Sequence, residues 1–269
     1  YGILHAPHIT SLDPMLFKQT DICLFVMDGK VKNLTPNRAL MQRVTIIVPV
    51  KDEEAGLRYL LDDLNNSKIN DDFEIEFIFV VDERTNDNSK EIASSFSEHI
   101  IDQNTTQGKG SAIRQAISEC RGRSSEFVIF LDADGSYSFA SVREIIYSLL
   151  QGADVVSGSR FLDSSRRPIG MSRLHYFGNR TLSLISSIRN GHKISDLCTG
   201  LWGFTSEVID KIEIKSNGFD LEAEIAGICR KKGLTHLEIP VDWSQRKGGA
   251  SKLRSFSDGF VILLRIIRT

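Results

Sequence analysis

From Val44 onward, short unbroken apolar runs alternate with stretches whose apolar residues recur at helical spacing. Val44-Thr45-Ile46-Ile47-Val48 ends at Pro49, Phe77-Ile78-Phe79-Val80-Val81 at Asp82, and Phe127-Val128-Ile129-Phe130-Leu131 at Asp132. Runs of this length without polar alternation predict strands covered on both faces. Ile100-Ile101 predicts a shorter one. Between them Leu57, Leu60, Leu61 and Leu64, and later Ala112, Ile113, Ala116, Ile117 and Cys120, fall on single helical faces. A more polar helix is expected around Lys90 to Phe96. Strands alternating with helices of this size predict βαβ units, hence a Rossmann-like α/β fold with a mainly parallel sheet flanked by helices.

The second half is more mixed. Asp154-Val155-Val156 predicts a strand leading into Gly158-Ser159-Arg160, and a helix is expected from about Arg173 to Ile188. Leu201-Trp202-Gly203-Phe204 reads as a short strand, Asp220 to Lys232 as a helix with Leu221, Ile225 and Ile228 inward, and Leu237 to Val241 as a late strand. No linker divides residues 44–254, so they read as one domain. Residues 1–43 form an extension in which Ile22 to Met27 predicts a strand and Asp28-Gly29 a hairpin turn. Residues 255–269 predict an amphipathic helix whose apolar stripe is Phe256, Phe260, Leu263, Leu264 and Ile267, flanked by Arg254, Arg265 and Arg268.

Composition alters this picture only when read by region. The 269 residues carry 33 Lys and Arg against 35 Asp and Glu, a formal net charge of -2, with 41% hydrophobic and 25% charged residues. That balance is ordinary for a folded globular chain, and it lacks the global positive charge that recruits nucleic acid. Cys23, Cys120, Cys198 and Cys229 show no CxxC spacing and read as free thiols of a reducing compartment, not as zinc ligands. The chain opens on Tyr1 and stops at Arg268-Thr269, which reads as an excerpt of a longer protein. Its longest late apolar run, Phe260 to Leu264, is too short to span a bilayer. From Trp243 to the end, Arg246, Lys247, Lys252, Arg254, Arg265 and Arg268 face Asp258 alone, a basic segment suited to an anionic membrane surface.

The strand ends carry the candidate chemistry. Ligands of parallel sheets bind at the carboxyl ends of the strands, and here those ends present Pro49, Asp82 and Asp132. In Asp132-Ala133-Asp134 two carboxylates at i and i+2 can reach one cation; Mg2+ and Mn2+ take such hard oxygens and keep substrate phosphates in their shell. Asp82 can accept hydrogen bonds from a ribose or a base edge. Asp82, Glu53 and Glu54 also fit as helix N-terminal acids that complement the macrodipole. Gly108-Lys109-Gly110 opens a helix whose amides and Lys109 can face an anion, without the longer glycine-rich span of a Walker A loop.

Taken in order, Val48-Pro49-Val50-Lys51-Asp52-Glu53-Glu54, Val80 to Ser89, Gly108-Lys109-Gly110, Asp132-Ala133-Asp134 and Gly158-Ser159-Arg160 resemble the family 2 glycosyltransferases of the GT-A fold. The resemblance covers roughly residues 44–254 and is nearest the dolichyl- or polyprenyl-phosphate sugar synthases. Gly218-Phe219-Asp220-Leu221-Glu222-Ala223-Glu224-Ile225 resembles that branch's acidic helix start, and Arg246, Gly249, Ser251 and Lys252 resemble its Arg-x-x-Gly-x-Ser-Lys ending. The QxxRW signature of processive polysaccharide synthases is absent. Three places depart from the pattern: Lys51-Asp52 replaces the usual Tyr-Asn, Glu83-Arg84-Thr85 replaces Asp-Gly-Ser, and Ser136 stands where Gln often follows the acidic pair.

The resemblance implies an inverting hexosyltransferase that moves a sugar from a nucleotide-sugar donor, GDP-mannose or UDP-glucose, to polyprenyl or dolichyl phosphate at the cytoplasmic face of a membrane. Asp132 and Asp134 would hold Mg2+ or Mn2+ on the donor diphosphate, while Pro49, Glu53, Asp82, Lys109 and Arg160 line the donor site. Arg246 and Lys252 would assist the leaving diphosphate from a mobile loop at Gly248-Gly249. A monophosphate acceptor is already largely ionised at neutral pH, so Arg160, Arg173 and Arg180 are expected to place it without a base. A sugar hydroxyl would need one, and Asp196 is then the candidate. Relatives of this kind often continue into transmembrane helices. Two other functions fit the residues: transfer to a soluble hydroxyl acceptor, and a nucleotide-sugar-binding scaffold without turnover.

Overall fold

A computed structural model describes residues 25–27, 30–32, 41–103, 106–163, 167–248 and 256–269. The chain divides into two compact units, Tyr1–Leu40 and Met41–Thr269. In the first, β1 (Phe25–Met27) pairs antiparallel with β2 (Lys30–Lys32), Met27 opposite Lys30. This is the pairing that a turn at Asp28-Gly29 predicts; the turn and Ile22 to Leu24 lie outside the described residues.

The second unit is built on a seven-stranded sheet ordered β5-β4-β3-β6-β8-β7-β9. Its strands are β3 (Arg43–Val50), β4 (Glu74–Asp82), β5 (Ile100–Gln103), β6 (Phe127–Leu131), β7 (Val155–Ser159), β8 (Leu201–Thr205) and β9 (His236–Pro240). β3 runs parallel to both β4 and β6, and β4 parallel to β5. β8 alone is reversed, antiparallel to β6 on one side and β7 on the other. The sheet is therefore mainly parallel, as expected, with one reversed strand. The register aligns the carboxyl ends, with Val50 opposite Val81 and Asp82 opposite Gln103.

The absence of alternation in the strands has a direct cause, since helices cover both faces. On one side Ile46, Val48, Phe79 and Ile129 pack with Leu57, Leu60 and Leu64 of α1 (Glu54–Ser67) and with Ile92 of α2 (Ser89–Phe96). On the other, Ile47, Ile78, Val80 and Phe130 pack with Ile113, Ala116 and Ile117 of α3 (Lys109–Cys120). Each strand thus sends successive apolar side chains to opposite cores. The helix α4 (Phe139–Leu150) was not anticipated. Its Val142, Ile145, Ile146 and Leu149 repeat at i, i+3, i+4 and i+7 in the first core, and Ser138 caps it by accepting the Ser141 amide at 3.3 Å. The short α6 (Ser206–Lys211) follows β8 directly. The predicted helix from Arg173 is α5 (Arg173–Asn190), and that from Asp220 is α7 (Leu221–Lys232).

The last helix, α8 (Ser257–Arg268), packs against α5 and α7 with a face other than the apolar stripe read from its sequence, which stays largely outward. Ile262 and Ile266 are buried in a third cluster with Ile194, Leu197, Ala223 and Ala226. Phe256, Phe260 and Ile267 point outward, at 81%, 60% and 57% exposure. The helix is apolar on two sides, and the heavier side is not the one the core needed. Arg265 is anchored inward, Nε donating to Asp220 at 2.7 Å and Nη1 reaching Glu224 at 3.4 Å, while Arg230 Nη2 donates to the Thr269 carbonyl at 2.7 Å. Arg254 lies outside the described residues. Ile266→Ala is expected to cost about 2–4 kcal/mol of unfolding free energy, and Phe260→Ala less than about 0.5 kcal/mol, as read from urea denaturation; a reversed order would contradict this orientation.

Candidate active site

The acidic pair is seated by backbone from a distant part of the chain. The Asp132 amide donates to the Gly200 carbonyl at 3.2 Å, a continuation of the β6–β8 ladder. Any side chain at position 200 would collide with the carboxylate, for a Cβ there would lie 1.8 Å from Asp132 Oδ2. Downstream, Tyr137 pairs with Trp243, the Ser244 amide donates to the Ser136 carbonyl at 3.0 Å, and the Lys247 amide to the Asp134 carbonyl at 3.0 Å. The late loop therefore runs along the backbone of the acidic turn. Tyr137 hydroxyl accepts the Gly200 amide at 2.9 Å and lies 3.1 Å from Thr199 Oγ1; burial pushes its pKa up to about 12.

Nearly every charged group at the site has an opposite partner. Lys109 Nζ sits 2.7 Å from Asp132 Oδ1 and 2.8 Å from Glu222 Oε1. Burial opposes its charge, but the two carboxylates outweigh that and hold its pKa above the ordinary lysine value. Burial raises the carboxyl of Glu222 against the pull of Lys109. The turn that carries Lys109 depends on Gly108, which adopts φ +107° where a Cβ would lie 2.2 Å from the Asn217 carbonyl oxygen. Because the Ser111 amide donates to that same oxygen at 3.2 Å, the start of α3 is docked on protein backbone as well as facing the cleft.

Glu53 and Arg246, 193 positions apart, form a close pair: Arg246 Nη2 donates to both Glu53 oxygens at 2.6 and 2.8 Å, and its Nε to the Gly248 carbonyl at 2.8 Å. Asp82 accepts three bonds from Arg84: the backbone amide and Nε on Oδ1 at 2.9 Å each, and Nη2 on Oδ2 at 2.7 Å. Those bonds, against the cost of burial, lower its pKa to about 2. Asp134 takes the Ser136 amide at 3.0 Å and makes no ion pair among the described residues.

Arg160 and Asp196 form the most enclosed pair. Asp196 is fully buried and accepts from the Arg160 amide at 2.9 Å, from Nε at 2.6 Å and from Nη2 at 2.7 Å, while Asn179 Nδ2 donates to it at 2.5 Å. The amides of Ser195 and Asp196 donate to Glu238 at 2.7 and 3.1 Å, which pins the loop. Asp196 thus lies behind Arg160 as its clamp, and its oxygens are occupied rather than open to a hydroxyl. Pro49, Glu53, Asp82, Lys109, Asp132, Asp134, Arg160 and Arg246 all line one cleft of about 660 Å3. Arg173 stands exposed at the start of α5, and Arg180 lies over the Phe161 ring, 5.8 Å from its centroid. Neither lines the cleft. Lys252 lies outside the described residues, and so does Cys23; Cys120, Cys198 and Cys229 are free thiols, each raised to a pKa of about 12 by burial.

Two hard carboxylates lining one cleft fit a cation that draws its remaining ligands from a diphosphate and water. Among the described residues no cluster of three or more His, Cys, Asp or Glu side chains is placed to hold a metal. Glu222, Asn179 and Glu238 were not among the candidate site residues, although Glu238 opens the Glu238-Ile239-Pro240-Val241 stretch of the late motif. Glu222 lies in the acidic helix start already noted in the sequence, but its pairing with Lys109 is a product of the fold.

Residues 45–213 match the family model described as glycosyl transferase family 2. The chain belongs to glycosyl transferase family 2. The glycosyltransferase AglJ of Haloferax volcanii is 31% identical over 192 residues, which cover 71% of this chain and 62% of that one. The dolichyl-phosphate β-glucosyltransferase ALG5A of Trichomonas vaginalis is 27% identical, over 78% of this chain and 68% of its own. Mannosyl-3-phosphoglycerate synthase from Rubrobacter xylanophilus superposes with a TM-score of 0.66 over 86% of this chain and 74% of that one, at 17% identity. This likeness identifies the mixed sheet as the GT-A fold of the glycosyltransferases.

In this family 2 chain the Asp82–Arg84 contact has a measurable signature. The depressed carboxyl contributes stability that is complete above its ordinary value of 3.8 and fades as pH falls through about 2. Carboxyl-carbon NMR should place the Asp82 midpoint near 2, and Arg84→Ala should move it upward; an unmoved midpoint would show that Arg84 does not set it.

Proposed function

We propose that this family 2 enzyme transfers a sugar from a nucleotide-sugar donor, GDP-mannose or UDP-glucose, to polyprenyl or dolichyl phosphate, with inversion at the anomeric carbon. The observation that carries the reading is the cleft itself. The acidic pair lines it, and Leu174 and Leu182 of α5 with Ile262 of α8 form part of its wall. The outward side of those same helices exposes Phe177, Leu184 and Ile188 on α5 and Phe260 and Ile267 on α8. A lipid phosphate whose tail lies in a bilayer meets both requirements at once. The relative named as a dolichyl-phosphate glucosyltransferase supports the same acceptor.

The chemistry follows from the charges. Breaking the glycosidic bond leaves negative charge on the departing diphosphate. Mg2+ or Mn2+ on Asp132 and Asp134 would supply neutralisation there. Lys109 keeps Asp132 oriented through the 2.7 Å contact. Arg246, turned by Glu53, adds positive charge to the lining of the cleft. Arg160, held rigid by Asp196, faces the cleft as a phosphate-placing cation. An ionised phosphate needs placement and no base, so an Asp196 closed off by Arg160 and Asn179 favours the phosphate acceptor over a sugar hydroxyl.

The exposed apolar face of α8 and its terminal Arg268 suit an interfacial helix on an anionic leaflet, which supports a peripheral position at the cytoplasmic face. Among the described residues no helix is long and apolar enough to cross a membrane. Asp134→Ala should reduce transfer to a short polyprenyl phosphate roughly 100-fold or more; unchanged turnover would sink the role of the acidic pair, and wild-type protein that binds donor without turnover would mark a scaffold. Faster transfer to glycerate or free sugars than to the polyprenyl phosphate would reassign the acceptor. Phe177→Asp with Phe260→Asp should abolish co-sedimentation with anionic liposomes while leaving transfer to a detergent-dispersed acceptor in place.

A further inference from the structure

The least typical stretches of the sequence, at Lys51 and at Glu83-Arg84-Thr85, meet at one corner of the cleft. Lys51 follows the end of β3, Asp82 ends the neighbouring β4, and Arg84 lies two residues on; all three line the cleft. Asp82 is buried and stands between two cations, with Lys51 Nζ 3.6 Å from its Oδ2 and the Arg84 guanidinium bridging both of its oxygens.

A carboxylate has about four acceptor positions, two on each oxygen. Oδ1 of Asp82 is filled by the amide and Nε of Arg84, and Oδ2 has one position taken by Arg84 Nη2. One acceptor position is left, on Oδ2, with an ammonium on one side and a guanidinium on the other. A ligand meeting this corner finds donor, acceptor, donor. The Watson–Crick edge of guanine presents two adjacent donors, N1–H and N2–H, that pair best with both oxygens of a free carboxylate; here that fork is occupied. Cytosine and adenine place an acceptor where the carboxylate needs a donor. The edge of a pyrimidine-2,4-dione, uracil or thymine, is O4, N3–H, O2: acceptor, donor, acceptor.

We infer that Lys51, Asp82 and Arg84 read the donor's base and select a pyrimidine-2,4-dione nucleotide over a guanine one, with Asp82 Oδ2 accepting N3–H and the two cations donating to the flanking carbonyls. The inference rests on the reading of the cleft as a nucleotide-sugar site. It turns Arg84, which replaces a small residue of the family pattern, into the group that decides between the two donor classes.

Calorimetric titration of the wild-type chain with UDP, dTDP, GDP and CDP in the presence of Mg2+ tests it. UDP or dTDP should bind at least about tenfold more tightly than GDP and CDP, the scale expected when a buried polar group loses its partner; UDP against dTDP shows whether the C5 methyl is admitted. GDP binding as tightly as UDP would overturn the inference and leave the transferase reading standing. Failure of all four to bind would overturn both. Arg84→Ser strips the guanidinium from both oxygens of Asp82 and leaves the backbone amide of residue 84 on Oδ1, and because the Arg84 side chain is 49% exposed its loss removes little packing. The UDP-to-GDP affinity ratio should fall about tenfold in that variant, and an unchanged ratio would remove Arg84 from base selection.

Discussion

One buried ammonium organises the site. Lys109 comes from α3, Asp132 from the end of β6 and Glu222 from the first turn of α7, and the amine holds both carboxylates within 2.8 Å. Two carboxylates that share one ammonium, one of them buried and the other partly so, repel each other unless that cation lies between them. Remove the amine and one acid must take a proton or swing away; remove Glu222 and the amine has no second reason to stay. The orientation of Asp132 is therefore tied through Lys109 to α7, a helix of the second core, and the three elements behave as a unit.

The same design recurs around the cleft at lower intensity. Arg246 is turned by Glu53, Arg160 by Asp196, Arg84 by Asp82. Each pairing fixes a long flexible side chain in one rotamer before any ligand arrives, so the ordering entropy is met in folding rather than in binding. Asp134 differs. It has a backbone amide for a partner and no cation among the described residues, so its charge is the least compensated of the set.

Much of this was legible in the residues, and what was not has a physical explanation. The strands from Val44, Phe77 and Phe127 are written as apolar runs because both faces are buried, and the acids that end them were readable as a cluster because parallel strands share one edge. The reversal of β8 was not readable. Neither was the meeting of Glu53 with Arg246, since a local pattern holds no information about a partner 193 residues away. Asp196 was read as a candidate base because it precedes a loop; its burial behind Arg160 depends on α5 supplying Asn179. On α8, hydrophobicity alone pointed to Phe256, Phe260 and Ile267, although Ile262 and Ile266 are the residues the core accepts. A helix with apolar residues on two sides does not announce which side has a protein beneath it.

The reversed strand has a consequence for how the molecule is made. β8 sits between β6 and β7, and its first residue, Leu201, pairs with Leu131 some seventy positions upstream. Gly200, whose carbonyl receives the Asp132 amide, therefore emerges from the ribosome long after the acidic turn it supports. Until then the central strand β6 has an open edge and the site has no floor. Glu222 and Arg246 are made later still. Pairings of this range slow folding and expose strand edges while they wait, so the nascent chain completes the site only after Arg246 has been made. A released fragment cut before β8 would carry the Asp132-Ala133-Asp134 motif without the means to hold it.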